Sequence, residues 1–170
     1  MVAGIGDTGY RLAFCVANRP PLDDYPVREN LAPLLPGELQ HIVANTSNHW
    51  RKLFNVYAKV VYALGVEPGW PPTWQEFRDR RLLQSGSRLA LLFTPPQLEF
   101  PKSNERPPLY LVAGKGYASA LNIAGLQWLD AHFAVAAQQR VLVTPYLDYR
   151  QLSNERIERL VELIRRYALL

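Results

Sequence analysis

The chain has 170 residues, of which 48% are hydrophobic and 20% are charged, and its formal net charge is +4. This length fits one domain, residues 1–170, and the composition excludes a disordered chain, which would lack the apolar side chains for a core. Arginine supplies 15 of the 19 cationic side chains, which suits phosphate contacts because guanidinium groups match phosphate oxygens. An ordinary surface of arginines interleaved with acids is the alternative.

The cysteine, the histidines and the apolar runs limit which kinds of site and which cellular location the sequence favours. The single cysteine, Cys15, cannot form an intrachain disulfide and lies in the apolar run 10–16, so we interpret it as a buried structural thiol. The three histidines are scattered and no cluster has metal-ligand spacing, so we expect no metal and no cofactor. The chain has neither a signal-peptide pattern nor an apolar stretch of about 18 residues. We therefore expect a cytoplasmic protein without membrane contact.

Four short apolar runs are typical of β-strands, and they lie at about 10–16, 88–93, 109–113 and 140–144. Their residues are continuously apolar, which is typical of a sheet covered on both faces. Most of the connections contain helical patterns, and crossover connections join parallel strands. The sequence therefore predicts a three-layer α/β/α domain with a four-stranded, mainly parallel sheet. The proline-rich connection 95–108 has no helical period and is predicted to be irregular.

Helical character is predicted to begin near Pro36, and Thr46, Ser47 or Asn48 either caps a second helix or marks a kink in one long helix. Further helices are predicted over about 73–84, 117–129 and 153–167. Thr73 and Glu76 form a capping-box pattern, Ser153 or Asn154 can cap the last helix, and Gly65 is the expected end of the second. The strongest pattern in the first half is one apolar stripe at helical spacing. Its members are Trp50, Leu53, Phe54, Tyr57, Val60, Val61 and Leu64.

Polar and aromatic side chains directly follow the predicted strands. In open parallel sheets, ligands bind beyond the carboxyl ends of the strands, so these residues are the candidates for a ligand site. The candidates are Asn18, Arg19, Lys115, Tyr117, Tyr146, Asp148, Tyr149 and Arg150. Lys115 and Arg150 would contact phosphate, a tyrosine would stack on a base, and Asn18 would donate or accept a hydrogen bond at a base edge.

These patterns leave two functions open. The first is a domain that binds or acts on a nucleotide or a nucleic acid. The second is a non-enzymatic protein whose aromatic, proline-rich surface binds a protein partner. Independently of either function, the segment 114–116 can be only a tight turn, and Asp148 can pair with Arg150 across another turn. Affinity for nucleic acid that falls steeply with salt would distinguish the first function from the second.

Four segments also resemble, in their order along the chain, the motifs of a known protein family. They are Ala17-Asn18-Arg19-Pro20-Pro21, Trp74-Gln75-Glu76-Phe77-Arg78-Asp79, Gly114-Lys115-Gly116-Tyr117-Ala118 and Pro145-Tyr146-Leu147-Asp148-Tyr149-Arg150-Gln151-Leu152-Ser153. In that order they resemble the Gly-Gln-Asp-Pro-Tyr, Gly-Trp-x-x-Phe-Thr-Asp, Gly-x-x-Ala and His-Pro-Ser-Pro-Leu-Ser motifs of the uracil-DNA glycosylase superfamily.

The resemblance implies that family's topology and a pocket at the strand ends that accepts an extruded base. The family's water-positioning acid would fall on Arg19 and its late histidine on Pro145. The resemblance is therefore to a divergent, glycosylase-like protein without the usual catalytic groups, because fold likeness alone does not transfer an activity. A short uncharacterised bacterial family of about this length is the other description.

Overall fold

The computed structural model describes residues 1–98 and 106–170. Within them, eight strands form one sheet: β1 (Gly4–Gly6), β2 (Leu12–Cys15), β3 (Leu31–Ala32), β4 (Leu89–Leu92), β5 (Leu109–Ala113), β6 (Gln127–Trp128), β7 (Ala134–Ala136) and β8 (Val141–Thr144). The five α-helices of the same residues are α1 (Glu38–Asn45), α2 (Asn48–Leu64), α3 (Trp74–Arg80), α4 (Lys115–Leu121) and α5 (Asn154–Arg166).

The strand order across the sheet is β3-β1-β4-β2-β5-β8-β7-β6. The four strands expected from the sequence lie side by side at the centre as β4, β2, β5 and β8, and all three pairings between them are parallel. The α/β class is therefore confirmed, but the prediction of a four-stranded sheet is wrong. Two short strands extend each side, and the pairs β1–β4, β7–β8 and β6–β7 are antiparallel.

The helices lie on both faces of the sheet. Buried residues of α1, α2, α3 and α5 share one apolar cluster with strand residues such as Phe14 and Leu111. Ala118 of α4 belongs to a second cluster with the alternate strand residues, which include Cys15 and Val112. Cys15 is fully buried, as expected of a structural thiol, and burial raises the pKa of that thiol.

The apolar stripe on α2 packs against the sheet as the sequence predicts. Its members from Trp50 to Val61 are buried, and only Leu64, in the last turn, is partly exposed. The helix ends where Gly65 takes a positive φ of 142°. In the buried layer the Tyr57 hydroxyl donates to the carbonyl of Ala90 at 2.8 Å, so the one polar atom of that ring is paired.

Helix α3 begins as the capping pattern predicts, since the Thr73 hydroxyl accepts a hydrogen bond from the Glu76 amide. The Ser153 hydroxyl caps α5 in the same way by accepting from the Arg156 amide. Two predicted helix ends are wrong. Helix α3 ends at Arg80 and not at 84, and Leu83 follows with a φ of 63°.

The helix predicted over 117–129 is also much shorter. Helix α4 ends at Leu121 because Asn122 takes the left-handed conformation, with φ at 50°. A turn containing Gly125 at φ 75° follows, and residues 127–128 then pair with β7 as strand β6. The irregular connection predicted at 95–108 lies partly outside the described residues. No helix within the described residues has the length and apolarity needed to span a bilayer.

Candidate functional site

The connection from β2 to β4 and the connection from β5 to β8 cover opposite faces of the sheet. The chain from β2 to β4 includes α1, α2 and α3, which cover one face, whereas α4, between β5 and β8, covers the other. Strands β4 and β5 lie on the two sides of β2. Such a switch in direction opens a crevice at the carboxyl ends of the strands, where ligands bind in open α/β sheets.

A cleft of about 340 Å³ lies at this edge, and we call it the carboxyl-edge cleft. Three elements form its walls: the loop after β2, the first turns of α2 and the loop after β8. The lining residues are Asn18, His49, Lys52, Tyr146, Leu147, Asp148 and Gln151. His49 and Lys52 lie three positions apart on α2, so they project from the same side of that helix.

The central polar contact of the carboxyl-edge cleft joins His49 and Tyr146. The His49 Nε2 atom lies 2.6 Å from the Tyr146 hydroxyl, and the two rings meet edge to face with their centroids 5.2 Å apart. Desolvation lowers the pKa of His49, and burial raises the pKa of Tyr146 to about 12. At neutral pH both groups are therefore uncharged, and the nitrogen that carries the imidazole proton decides which of the two donates the hydrogen bond.

A charged pair borders this contact. The Lys52 Nζ atom lies 3.7 Å from Asp148 Oδ2, and both side chains are about one quarter exposed, at 26% and 27%. Lys52 Nζ also lies 5.2 Å from the centroid of the Tyr149 ring, and Arg150 Cζ lies 5.6 Å from the same centroid. Tyr149 is thus flanked by two cations, of which Asp148 neutralises one in part.

The structure brings together five of the eight residues predicted for the site. Asn18, Tyr146 and Asp148 line the carboxyl-edge cleft, and Tyr149 and Arg150 lie beside it through their contacts around Lys52. The nearby Asn18 side chain acts against the rise in the pKa of Tyr146. The roles predicted for these residues in ligand binding stay predictions.

The other three predicted residues lie outside the lining of the cleft. The Arg19 guanidinium donates to the carbonyls of Tyr25 and Arg28, at 3.1 and 2.8 Å, so it stabilises the loop that follows β2. Lys115 Nζ lies 5.0 Å from the centroid of the Trp128 ring. Tyr117, a residue of α4, packs against the second apolar cluster.

Sequence reasoning missed His49, Lys52 and Gln151 as members of the site. The partner of His49, Tyr146, is 97 positions away in the chain. The only local signal is a histidine and a lysine three positions apart in the first turns of a helix. That signal indicates a site only when the position of the helix beside the loop after β8 is known.

The charges around His49 make its titration a test of the cleft geometry. Asp148 raises and Lys52 lowers the pKa of His49, while desolvation lowers it most. We expect the His49 resonance to titrate below the usual range for histidine of about 6.5 in an NMR pH titration. Asp148→Asn should lower this pKa further, and Lys52→Gln should raise it.

The sign of the pH dependence follows from the same shift. Because the folded protein disfavours His49 protonation, the unfolded chain binds the proton first as the pH falls below about 6.5. Stability should therefore be lost between that pH and the lower, folded-state pKa, and His49→Gln should remove this part of the loss in melts across the same range. His49 titrating at or above the histidine reference value would contradict the geometry.

The described residues contain no group of three or more histidine, cysteine or acidic side chains placed to hold a metal ion. No curated protein and no solved structure matches this chain. The resemblance to uracil-DNA glycosylases therefore gains no support from comparison with known proteins. The chain belongs to a family of unknown function, DUF6942, whose family model matches residues 3–165.

Proposed function

We propose that this protein binds a small anionic ligand with a flat portion, of the nucleotide class, in the carboxyl-edge cleft. The observation that carries the proposal is the placement of Lys52 and Arg150 around the ring of one tyrosine, Tyr149, at the edge of that cleft. Two cations held near each other repel, and a bound phosphate would relieve that repulsion. Asp148 alone balances only one of the two charges.

The remaining groups suit the flat portion of such a ligand. Asn18 supplies an amide that can donate and accept at a base edge, and the neutral His49–Tyr146 pair adds no charge to the floor of the cleft. The volume of about 340 Å³ lies at the lower end of the range for small-molecule sites, about 300–1,000 Å³. The cleft therefore favours a mononucleotide over a dinucleotide cofactor.

The test measures the affinity of mononucleotides by isothermal titration calorimetry at low salt. Lys52→Gln combined with Arg150→Gln should weaken binding at least tenfold, which corresponds to about 1.4 kcal/mol. The matched control is Lys59→Gln with Arg51→Gln, which removes one lysine and one arginine from parts of α2 outside the cleft lining. We expect the control to bind within about twofold of the unmodified protein.

Two results would count against the proposal. If the unmodified protein binds none of the mononucleotides at low salt, the nucleotide proposal fails and the protein-interaction alternative takes its place. If the control loses as much affinity as the cleft variant, binding depends on net charge and not on this cleft. Amide chemical shifts of residues 18, 49 and 146 on titration give an independent location for the ligand.

A further inference from the structure

A second, larger depression lies at the opposite edge of the sheet, where the parallel strands begin. Its volume is about 720 Å³, and we call it the arginine groove after the four arginines in its lining. They are Arg11, Arg81, Arg88 and Arg165. Glu67 is the single carboxylate side chain among the described lining residues. The groove therefore has an excess of three positive side-chain charges.

The strand pairing explains why Arg11 and Arg88 lie together. Each directly precedes a strand, and β2 and β4 pair in parallel with Leu12 opposite Leu89. The amide of Arg11 donates to the carbonyl of Arg88 at 2.8 Å. Two neighbouring parallel strands thus bring two guanidinium groups to the same edge of the sheet.

Arginines near helix ends often serve the helix itself, because cations complement the negative end of the helix dipole. That accounts in part for Arg165, which donates at 3.4 Å to the carbonyl of Leu64, the last residue of α2. Arg81 donates at 3.3 Å to the carbonyl of Gly69, in the connection between α2 and α3. It does not account for Arg11 and Arg88. Their guanidinium groups have no hydrogen bond or ion pair with any described residue.

An aromatic ring adjoins these charges. Trp70 lines the arginine groove and is only partly buried. The Trp70 ring packs against Phe77, with the centroids 4.5 Å apart, which holds the indole in place. Binding to single-stranded nucleic acid without sequence preference uses two components. One is a row of cations along the phosphate backbone, and the other is an aromatic ring on which a base can stack.

We propose that the arginine groove binds a chain of phosphate groups, as in the backbone of a single-stranded nucleic acid. The guanidinium groups of Arg11 and Arg88 contact the phosphates, and Arg81 and Arg165 add to the positive field. The proposal does not depend on the carboxyl-edge cleft. Arg11 and Asn18 are seven positions apart along β2 and its loop, which corresponds to about 23 Å of extended chain.

The experiment measures the binding of a fluorescent oligothymidine of about twelve nucleotides by anisotropy at about 50 mM salt. Arg11→Gln with Arg88→Gln should weaken binding at least tenfold. Loss of two phosphate contacts should also reduce the slope of log K against log salt by about 1.4, since each contact to a single strand contributes about 0.7. The control is Arg51→Gln with Arg80→Gln, which has the same net charge but alters arginines outside the groove lining.

Competitors identify which part of the oligonucleotide is recognised. Displacement by inorganic polyphosphate supports the proposal with the phosphates alone as the recognised group. Displacement only by unlabelled oligonucleotide supports it with nucleic acid as the source, and Trp70→Ala should then weaken binding further. The proposal is overturned if the unmodified protein does not bind either chain at low salt, or if the control weakens binding as much as the groove variant does. Mononucleotide binding by the same groove variant should be unchanged, so the two proposals fail separately.

Discussion

Replacing Phe54 with alanine should lower the free energy of unfolding by about 3–5 kcal/mol, the usual cost of emptying a fully enclosed phenylalanine site. The Phe54 ring has no exposed surface and lies on the face of α2 that packs in the larger apolar cluster. Its neighbour on the helix, Trp50, is 6.4 Å away between ring centroids. Alanine is the better helix former by about 0.5 kcal/mol, which offsets little of the loss.

Urea denaturation of the variant and the unmodified protein measures this loss. Leu35→Ala serves as the control because the Leu35 side chain is 68% exposed, so its truncation should change stability by less than about 0.5 kcal/mol. A loss below about 1 kcal/mol for Phe54→Ala would show that the surroundings of the ring refill the space, or that this face of α2 is not enclosed.

The central strands could be predicted from the sequence because burial on both faces produces continuously apolar runs, as in residues 89–92 and 141–144. The outer strands could not. Strand β1 consists of Gly4, Ile5 and Gly6, and glycine is disfavoured in isolated strands. Strands β3 and β6 have two residues each, which is too short for any periodicity. Strands β1 and β3 are determined by partners far away in the chain, and β6 by its pairing with the three-residue strand β7.

The predicted helix over 117–129 is an error in the other direction, because the sequence predicted regular structure where the chain forms a turn. Its apolar residues recur at a spacing that fits a helix, yet Ile123 and Leu126 pack on the second cluster from a turn and not from a helix. Asparagine tolerates the left-handed conformation better than most residues, and Asn122 adopts it directly after α4. An asparagine followed by a glycine three positions later was the available stop signal.

The site was predictable where it depends on strand ends and unpredictable where it depends on helix placement. The rule that ligands bind beyond carboxyl ends selected Asn18, Tyr146 and Asp148, which line one cleft. Nothing in the local sequence indicates that His49 and Lys52 face the same cleft. That requires the position of α2 over the sheet, which the whole apolar stripe of the helix determines.

The arginine excess suggested phosphate contacts, which stay a prediction, but the sequence alone did not show where in the fold the arginines lie together. Phosphate contacts were expected at the carboxyl edge, where Arg150 lies beside the cleft next to the Tyr149 ring. Four arginines instead line the amino edge, two of them in residues directly before strands. A charged residue before an apolar strand normally indicates only where the strand begins, and strand pairing is needed to show that Arg11 and Arg88 are neighbours.

Replacing Gly4 with alanine should destabilise the protein by about 1–3 kcal/mol or more, through overpacking against backbone. A Cβ atom at Gly4 would lie 2.2 Å from the carbonyl oxygen of Leu91 and 3.0 Å from the Cα of Leu92. Both atoms belong to β4, which β2 holds on its other side, so β4 cannot move away without breaking the central pairing. Strand β1 must shift instead, and this would break its pairing with both β3 and β4.

Thermal and urea melts measure the total loss, and amide hydrogen exchange shows where it arises. The Phe93 amide, which donates to the Ala3 carbonyl, and the Asp7 amide, which donates to Leu89, should lose protection first. Gly116→Ala is the matched control, because a Cβ there meets no atom within 4 Å and alanine favours the helix by up to about 1 kcal/mol. Equal stability of Gly4→Ala and the unmodified protein would mean that β1 is not held this closely against β4.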